Sequence, residues 1–241
     1  MKKATTSLII LFLCFNLFGQ ENEEKNSFKN QFGLEVSDLI NGAYQFKYER
    51  ILGEHTSLSL GIAYKGENGI IRLSGLDTEQ IKTGEIAYSG FKIIPEFRYY
   101  LKKTSQYGMD GFYFGAYLKY SNYQSDLDGT YINDADESFT IAFDADIKVV
   151  SVGLMVGYKL PLSERFSIDF LIAGPGAGRY DFSFVNKEDL PDEFYDDFNE
   201  ALENYSLFDL LDGEFRFKET DSNSKFTLPS FRYGISLGYS F

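Results

Sequence analysis

The chain has 241 residues, 44% hydrophobic and 24% charged, with 24 Phe and 18 Tyr but no Trp. Acids outnumber bases 36 to 23, for a formal net charge of −13, and no basic stripe is present to neutralise phosphates, which excludes a nucleic-acid partner. No run of about 18 apolar residues follows the N-terminal segment, which excludes a transmembrane helix in the rest of the chain. The length points to one domain.

The first 20 residues read as a processing segment. Lys2 and Lys3 precede an apolar stretch from Leu8 to Phe18, broken by Asn16 and followed by Gly19-Gln20. A basic start, a short apolar run and a small residue make a secretory signal peptide over 1–20. Its removal takes two lysines and no acids, so the net charge moves to −15. Cys14, the single cysteine, leaves with it. A disulfide framework and a thiolate metal site are thereby excluded. Residues 21–29 are expected as a flexible periplasmic N-terminus, and 30–241 as one barrel domain.

The remainder alternates with period 2, the mark of half-buried strands. Phe32, Leu34 and Val36 alternate in 30–37, ahead of an Asn41-Gly42 hairpin signal. In 43–50, Tyr44, Phe46 and Tyr48 oppose Gln45, Lys47 and Glu49. Leu58, Leu60, Ile62 and Tyr64 follow in 57–65. In 91–101, Phe91, Ile93, Phe97, Tyr99 and Leu101 oppose Lys92, Glu96 and Arg98. Segments 111–121, 150–160, 166–172 and 231–241 continue the pattern, which makes eight strands.

A lipocalin turns its apolar face inward, and an outer-membrane barrel turns it outward. Here the other face is mainly Gly, Ser and Ala with a few charges and Tyr, which suits a narrow lumen better than a water-exposed surface. The expected fold is therefore an all-β, eight-stranded antiparallel up-and-down transmembrane barrel. Connections are short at 53–55, 102–110 and 161–164 and long at 66–85, 124–146 and 174–225. Short periplasmic turns and long outer loops alternate in this way.

The chain closes with Tyr239-Ser240-Phe241. Tyr239 and Phe241 are similar to the terminal signal that the barrel-assembly machinery reads. The strings Tyr48-Glu49-Arg50, Pro95-Glu96-Phe97-Arg98-Tyr99-Tyr100-Leu101 and Gly111-Phe112-Tyr113-Phe114-Gly115-Ala116-Tyr117 carry a further resemblance. Over about 29–160 and the last strand the chain resembles a family of small outer-membrane barrels of unknown function common in Bacteroidetes-type envelopes, akin to OmpA/OmpX/OmpW barrels. The resemblance implies the fold and an outer-membrane location, and no activity.

By parity Lys47, Glu49, Glu96, Arg98, Lys119, Asp169 and Arg232 face the lumen. Buried charges persist only when paired, so a ladder of bridges between neighbouring strands is expected. A closed lumen is the expected result rather than an ion path. His55, the only histidine, falls in a short periplasmic turn, away from the outer leaflet where a Ser–His lipid hydrolase would act. No catalytic residue and no cofactor are assigned.

Asp126, Asp128, Asp134 and Glu137 occupy positions 1, 3, 9 and 12 of a twelve-residue window. Tyr131 stands where an EF-hand needs glycine and no helices flank it, so these remain weak calcium candidates in a solvated loop. Gly174-Pro175-Gly176-Ala177-Gly178 reads as a flexible strand exit, without the lysine of a phosphate loop.

The last long loop carries eight acids within 187–204. Phe194, Phe198, Ala201, Leu202 and Tyr205 recur at helical spacing after Pro191, which predicts an amphipathic helix within 187–205. The leading expectation is a non-enzymatic, monomeric outer-membrane protein in contact with outer-membrane lipid, acting in envelope integrity or surface contacts through acidic loops. Two alternatives stand beside it: a conduit for a small hydrophobic ligand through a cavity under that helix, and a soluble lipocalin-like binder.

Overall fold

The computed structural model describes residues 28–67, 74–85, 87–104, 108–203 and 223–241. The expected signal peptide, Cys14, Tyr205 and most of 21–29 lie outside the described residues. Nine strands form one antiparallel sheet: β1 (Asn30–Glu35), β2 (Ala43–Ile51), β3 (Thr56–Lys65), β4 (Ile81–Thr83), β5 (Ala87–Tyr100), β6 (Gly111–Ile132), β7 (Ser138–Pro161), β8 (Phe166–Asn186) and β9 (Asn223–Ser240). One helix, α1 (Asp192–Glu203), lies between β8 and β9.

Eight of the nine strands close into a ring in the order β5-β3-β2-β1-β9-β8-β7-β6, with β6 returning to β5. Closure removes the edges where all eight strands meet, whereas β9 ahead of Ile235 pairs with β8 alone among the described strands. The start of β1, the end of β9 and the short turns β2–β3, β5–β6 and β7–β8 share one end of the ring. Thr104 ties two of these turns together, donating from its Oγ1 to the Gly53 carbonyl at 2.6 Å.

The strands are unequal. β1, β2, β3 and β5 have 6 to 14 residues, whereas β6 to β9 have 18 to 24. The expected loops at 124–146 and around 174–186 are therefore strand, and one wall rises above the others. The β6–β7 turn is held by Asn133, whose Oδ1 accepts the backbone N–H of Ala135 and Glu137. β4 pairs with β6 at 129–131, above the point where β5 leaves it. The Asn41-Gly42 pair is likewise no two-residue hairpin. A 3-10 turn (Asp38–Asn41) precedes Gly42, which takes the left-handed conformation (φ 70°) and donates its N–H back to Leu39.

Gly174–Gly178 forms the middle of β8 rather than a flexible exit. The glycines serve Tyr117, whose hydroxyl lies inside the ring. A Cβ on Gly153 or Gly176, partners across β7–β8, would stand 2.6 Å from that oxygen. A register shift between Leu171 and Gly174 turns Leu171 inward.

The ring is apolar outside and charged within. Phe46, Leu60, Ile62, Phe97, Phe114, Leu154 and Leu237 are exposed, while Lys47, Glu49, Glu96, Arg98, Lys159 and Asp169 are buried. This is the reverse of a lipocalin. Along the β6–β7 hairpin the arrangement changes sides. On the outward face Phe112, Phe114, Leu118 and Tyr120 give way to Asn122, Gln124, Asp126 and Asp128. On β7, Val150, Val152 and Leu154 give way to Lys148, Asp146 and Asp144. The inward face changes in the opposite sense, from Tyr117, Lys119 and Ser121 to a packed apolar cluster with Leu127, Tyr131, Ile141 and Phe143. The two strands stay in unbroken register from Gly111↔Lys159 to Ile132↔Ser138, so the exchange belongs to the sequence and not to a bulge.

Candidate functional site

Toward the end of the ring that carries the short turns, the lumen is occupied by a hydrogen-bonded charge network centred on Arg98 of β5. Its Nη1 donates to Glu49 Oε2 at 3.0 Å and to Asp169 Oδ2 at 2.8 Å, and its Nη2 donates to Glu96 Oε2 at 2.6 Å. Arg232 Nη2 donates to the other Glu96 oxygen at 2.8 Å. Lys159 Nζ reaches Glu49 Oε2 and Gln31 Oε1, both at 2.7 Å. Lys47 stands 3.5 Å from Glu35 and 3.6 Å from Asp169. Four acids thus face four bases, which is the balance that burial demands.

Tyrosine and serine hydroxyls complete the carboxylates. Tyr100 and Ser57 donate to Glu49 Oε1 at 2.7 and 2.6 Å, and Tyr113 donates to Asp169 Oδ1 at 2.8 Å. Arg98 also lies 4.5 Å over the Tyr113 ring, and Arg232 4.5 Å over the Tyr117 ring. These contacts leave the anionic oxygens with donors and the guanidinium planes with π faces, both favourable away from water.

Of the seven residues expected to share the lumen, six meet in this network. Lys119 does not: it lies higher, at the mouth, and has no hydrogen bond or ion pair among the described residues. The pairing also departs from a ladder between neighbours. β5 and β8, which hold Arg98 and Asp169, stand three strands apart around the ring, and β7 and β2, with Lys159 and Glu49, stand opposite one another. Eight strands enclose so narrow a lumen that side chains meet across it. Glu35, Gln31, Lys159, Tyr100 and Tyr113 join the network without a distinguishing signal in the sequence. Parity puts all five on the inward face, but parity carries no information on depth or partner.

A second assembly stands on the inward face of the tall wall. Phe194 and Phe198 of α1 pack with Leu76, Ile81, Tyr131, Ile141 and Phe143. The Phe194 ring lies 5.3 Å from those of Tyr131 and Phe198. The expected helix face is therefore filled by rings of the β6–β7 hairpin. Leu202 lies within the helix, and its side chain falls outside the described residues. Acids at Asp192 and Glu193 suit the helix N-terminus. Tyr131 donates to Asp197 Oδ2 at 2.5 Å. Burial, then the Asp197 carboxylate, raises the Tyr131 hydroxyl above its ordinary pKa of 10.0.

The four weak calcium candidates do not converge. Asp126 and Asp128 lie on β6, Asp134 accepts Gln80 Nε2 at 3.1 Å, and Glu137 accepts Asn133 Nδ2 at 3.2 Å. Asp144, opposite Asp126 in register, raises the Asp126 carboxyl above the usual carboxylate range. Lys187 pairs with Asp144 and lowers it. Among the described residues no three His, Cys, Asp or Glu side chains are placed to hold a metal ion.

His55 is no freely solvated turn residue. It donates from Nδ1 to the Tyr100 carbonyl at 2.8 Å and stacks on Tyr99 at 5.3 Å.

Among solved structures the chain is similar to a major outer membrane protein from Thermus thermophilus, at 11% identity and a TM-score of 0.40, over 89% of this chain and 98% of that one. It is also similar to CarO of Acinetobacter baumannii, at 11% identity and a TM-score of 0.40, over 91% and 100%. No curated protein matches it. Residues 8–187 match the family described as proteins of unknown function, DUF3575, and the chain belongs to that family.

Proposed function

We propose that this chain is a monomeric, eight-stranded transmembrane β-barrel of a bacterial outer membrane, with its lumen closed by paired charges. It acts without catalysis, in envelope integrity or in surface contacts made by its acidic outer wall. The observation that carries this reading is the exchange of polarity between the two faces of the β6–β7 hairpin. Below Tyr120 and Val150 the outward face is apolar and the inward face mixes Lys119, Ser151 and Lys159 with glycines, Tyr113, Tyr117 and Met155; above them the outward face is polar and the inward face apolar, the order of a protein in water.

The dimensions agree. Phe112 to Tyr120 spans nine residues, which at ~3.4 Å each and ~40° tilt rise about 23 Å. A lipid-facing band of about 25 Å is what an outer-membrane barrel presents. The lumen network blocks conduction near the short turns, and Tyr239 and Phe241 on the outward face suit recognition by the barrel-assembly machinery.

Extraction of membranes tests the reading. The chain is expected to resist alkaline carbonate, to dissolve in detergent, and to migrate differently in electrophoresis before and after heating. Recovery in buffer without detergent would sink it.

A further inference from the structure

At the end of the ring that carries the long connections, the lumen opens into a cavity of about 220 Å³. Lys92, Lys119 and Arg232 line it, with Glu35 and Asp38 as its acids. The pairing of these five groups is uneven. Asp38 is engaged by Lys92 at 2.5 Å. Glu35 is engaged by Lys47, Ser37 and Ser236. Arg232 directs Nη2 to Glu96, but its Nη1 is buried without an acceptor, on a side chain only 10% exposed. Lys119 has no hydrogen bond or ion pair among the described residues.

A buried guanidinium N–H and an ammonium group without acceptors among the described residues, on one cavity wall, make a site for an anion. The surplus is one positive charge, since Lys92 is neutralised by Asp38 and Arg232 by Glu96. Two carboxylates in the same wall disfavour a dianion. Ile94 and Leu171 give the cavity apolar surface. Its volume lies below the ~300 Å³ at which drug-sized sites begin.

We propose that the mouth of the ring binds a small organic carboxylate, held by Lys119 Nζ and Arg232 Nη1 with its apolar body on Ile94 and Leu171. The Glu96–Arg98–Glu49 network closes the lumen beneath it, so the site retains its ligand at the outer end and does not pass it through. The proposal goes beyond the membrane reading, because the residues of the site all lie inside the ring.

The test uses the full chain folded in zwitterionic detergent at neutral pH and low chloride, titrated calorimetrically with benzoate. Saturable one-to-one binding is expected, with a Kd on the order of 1 mM or tighter. Lys119→Gln should weaken it at least about tenfold, and Lys119→Arg by less than about threefold. Lys119 belongs to no pair among the described residues, so Lys119→Gln should keep the wild-type circular-dichroism spectrum and melting point, which checks its fold. Benzyl alcohol, the neutral counterpart, should not saturate. Unchanged affinity in a folded Lys119→Gln variant would overturn the proposal. So would the absence of saturation by benzoate, saturation by benzyl alcohol, or displacement of benzoate by equimolar inorganic phosphate. The wild-type comparison of benzoate, benzyl alcohol and phosphate decides without any variant.

Discussion

Tyr120 and Val150 stand opposite one another in the β6–β7 register, and the two faces of the hairpin exchange polarity at that pair. A strand in one solvent has no cause to reverse its pattern without a bulge. A strand that leaves lipid for water has one, because its outward face changes solvent while its inward face changes from a crowded charged lumen to a helix-covered wall.

Position along one strand should therefore decide the effect of an added charge. Leu154, 69% exposed below the pair, should not tolerate Arg: Leu154→Arg is expected to destabilise the chain in lipid vesicles by about 2–4 kcal/mol. Thr140→Arg, on the same face above the pair, should cost about 0–1 kcal/mol. Urea unfolding from vesicles measures both, and equal losses would contradict the account.

The network should behave as one unit. Arg98→Met strips three carboxylates of their shared donor and should cost about 3–5 kcal/mol. Glu96→Gln leaves Arg98 with two acids but removes the only ion pair of Arg232 among the described residues, so the expected loss is smaller, about 1–3 kcal/mol. Neither should open a path, because the side chains still fill the lumen. Thermal midpoints and planar-bilayer recordings check this; wild-type heat stability in Glu96→Gln, or a new conductance, would count against it.

Gly153 tests the packing of Tyr117. An added Cβ would meet the Tyr117 hydroxyl at 2.6 Å and crowd the Pro175 carbonyl, which is backbone and cannot swing away. Gly153→Ala should therefore lower stability by about 1–3 kcal/mol. Gly33→Ala, whose Cβ would find its nearest neighbour at 3.5 Å, should be tolerated.

The helix should be separable from the ring. Phe194, fully buried between the hairpin and α1, is expected to hold the helix down: Phe194→Ala should cost about 3–5 kcal/mol of local docking. Faster proteolysis within 187–205, with an unchanged melting point for the ring, is the readout. The docking also carries a pH signature. Because Tyr131 is raised above 10.0 in the folded state, its contribution is complete below pH 10 and is lost as the pH rises toward the folded value. Protection of the segment should be flat to about pH 10 and fall beyond it, and Tyr131→Phe should abolish the fall.

Much of this was legible in the residues. Alternation of Phe46 with Lys47 and Glu49, or of Phe97 with Glu96 and Arg98, gives both the strands and the side each residue takes. The ring order then follows from short connections. Three things were not legible. Charged and polar residues such as Gln124, Asp126 and Asp146 look like loop, because a strand whose outward face is polar has the composition of water-exposed loops. The glycines of β8 read as flexibility because their partner, the Tyr117 hydroxyl, comes from a strand far away in sequence. The partners of Arg98 were hidden for the same reason, since reach across a narrow lumen depends on diameter and stagger, which period 2 does not encode.

The membrane reading requires the outward face below Tyr120 and Val150 to lie in lipid. Single cysteines at Leu154→Cys and Thr140→Cys, in the chain without residues 1–20, can carry an environment-sensitive fluorophore in vesicles containing brominated lipid. Strong quenching at position 154 with little at 140 is the predicted result; equal quenching at the two positions, or none at either, would contradict it.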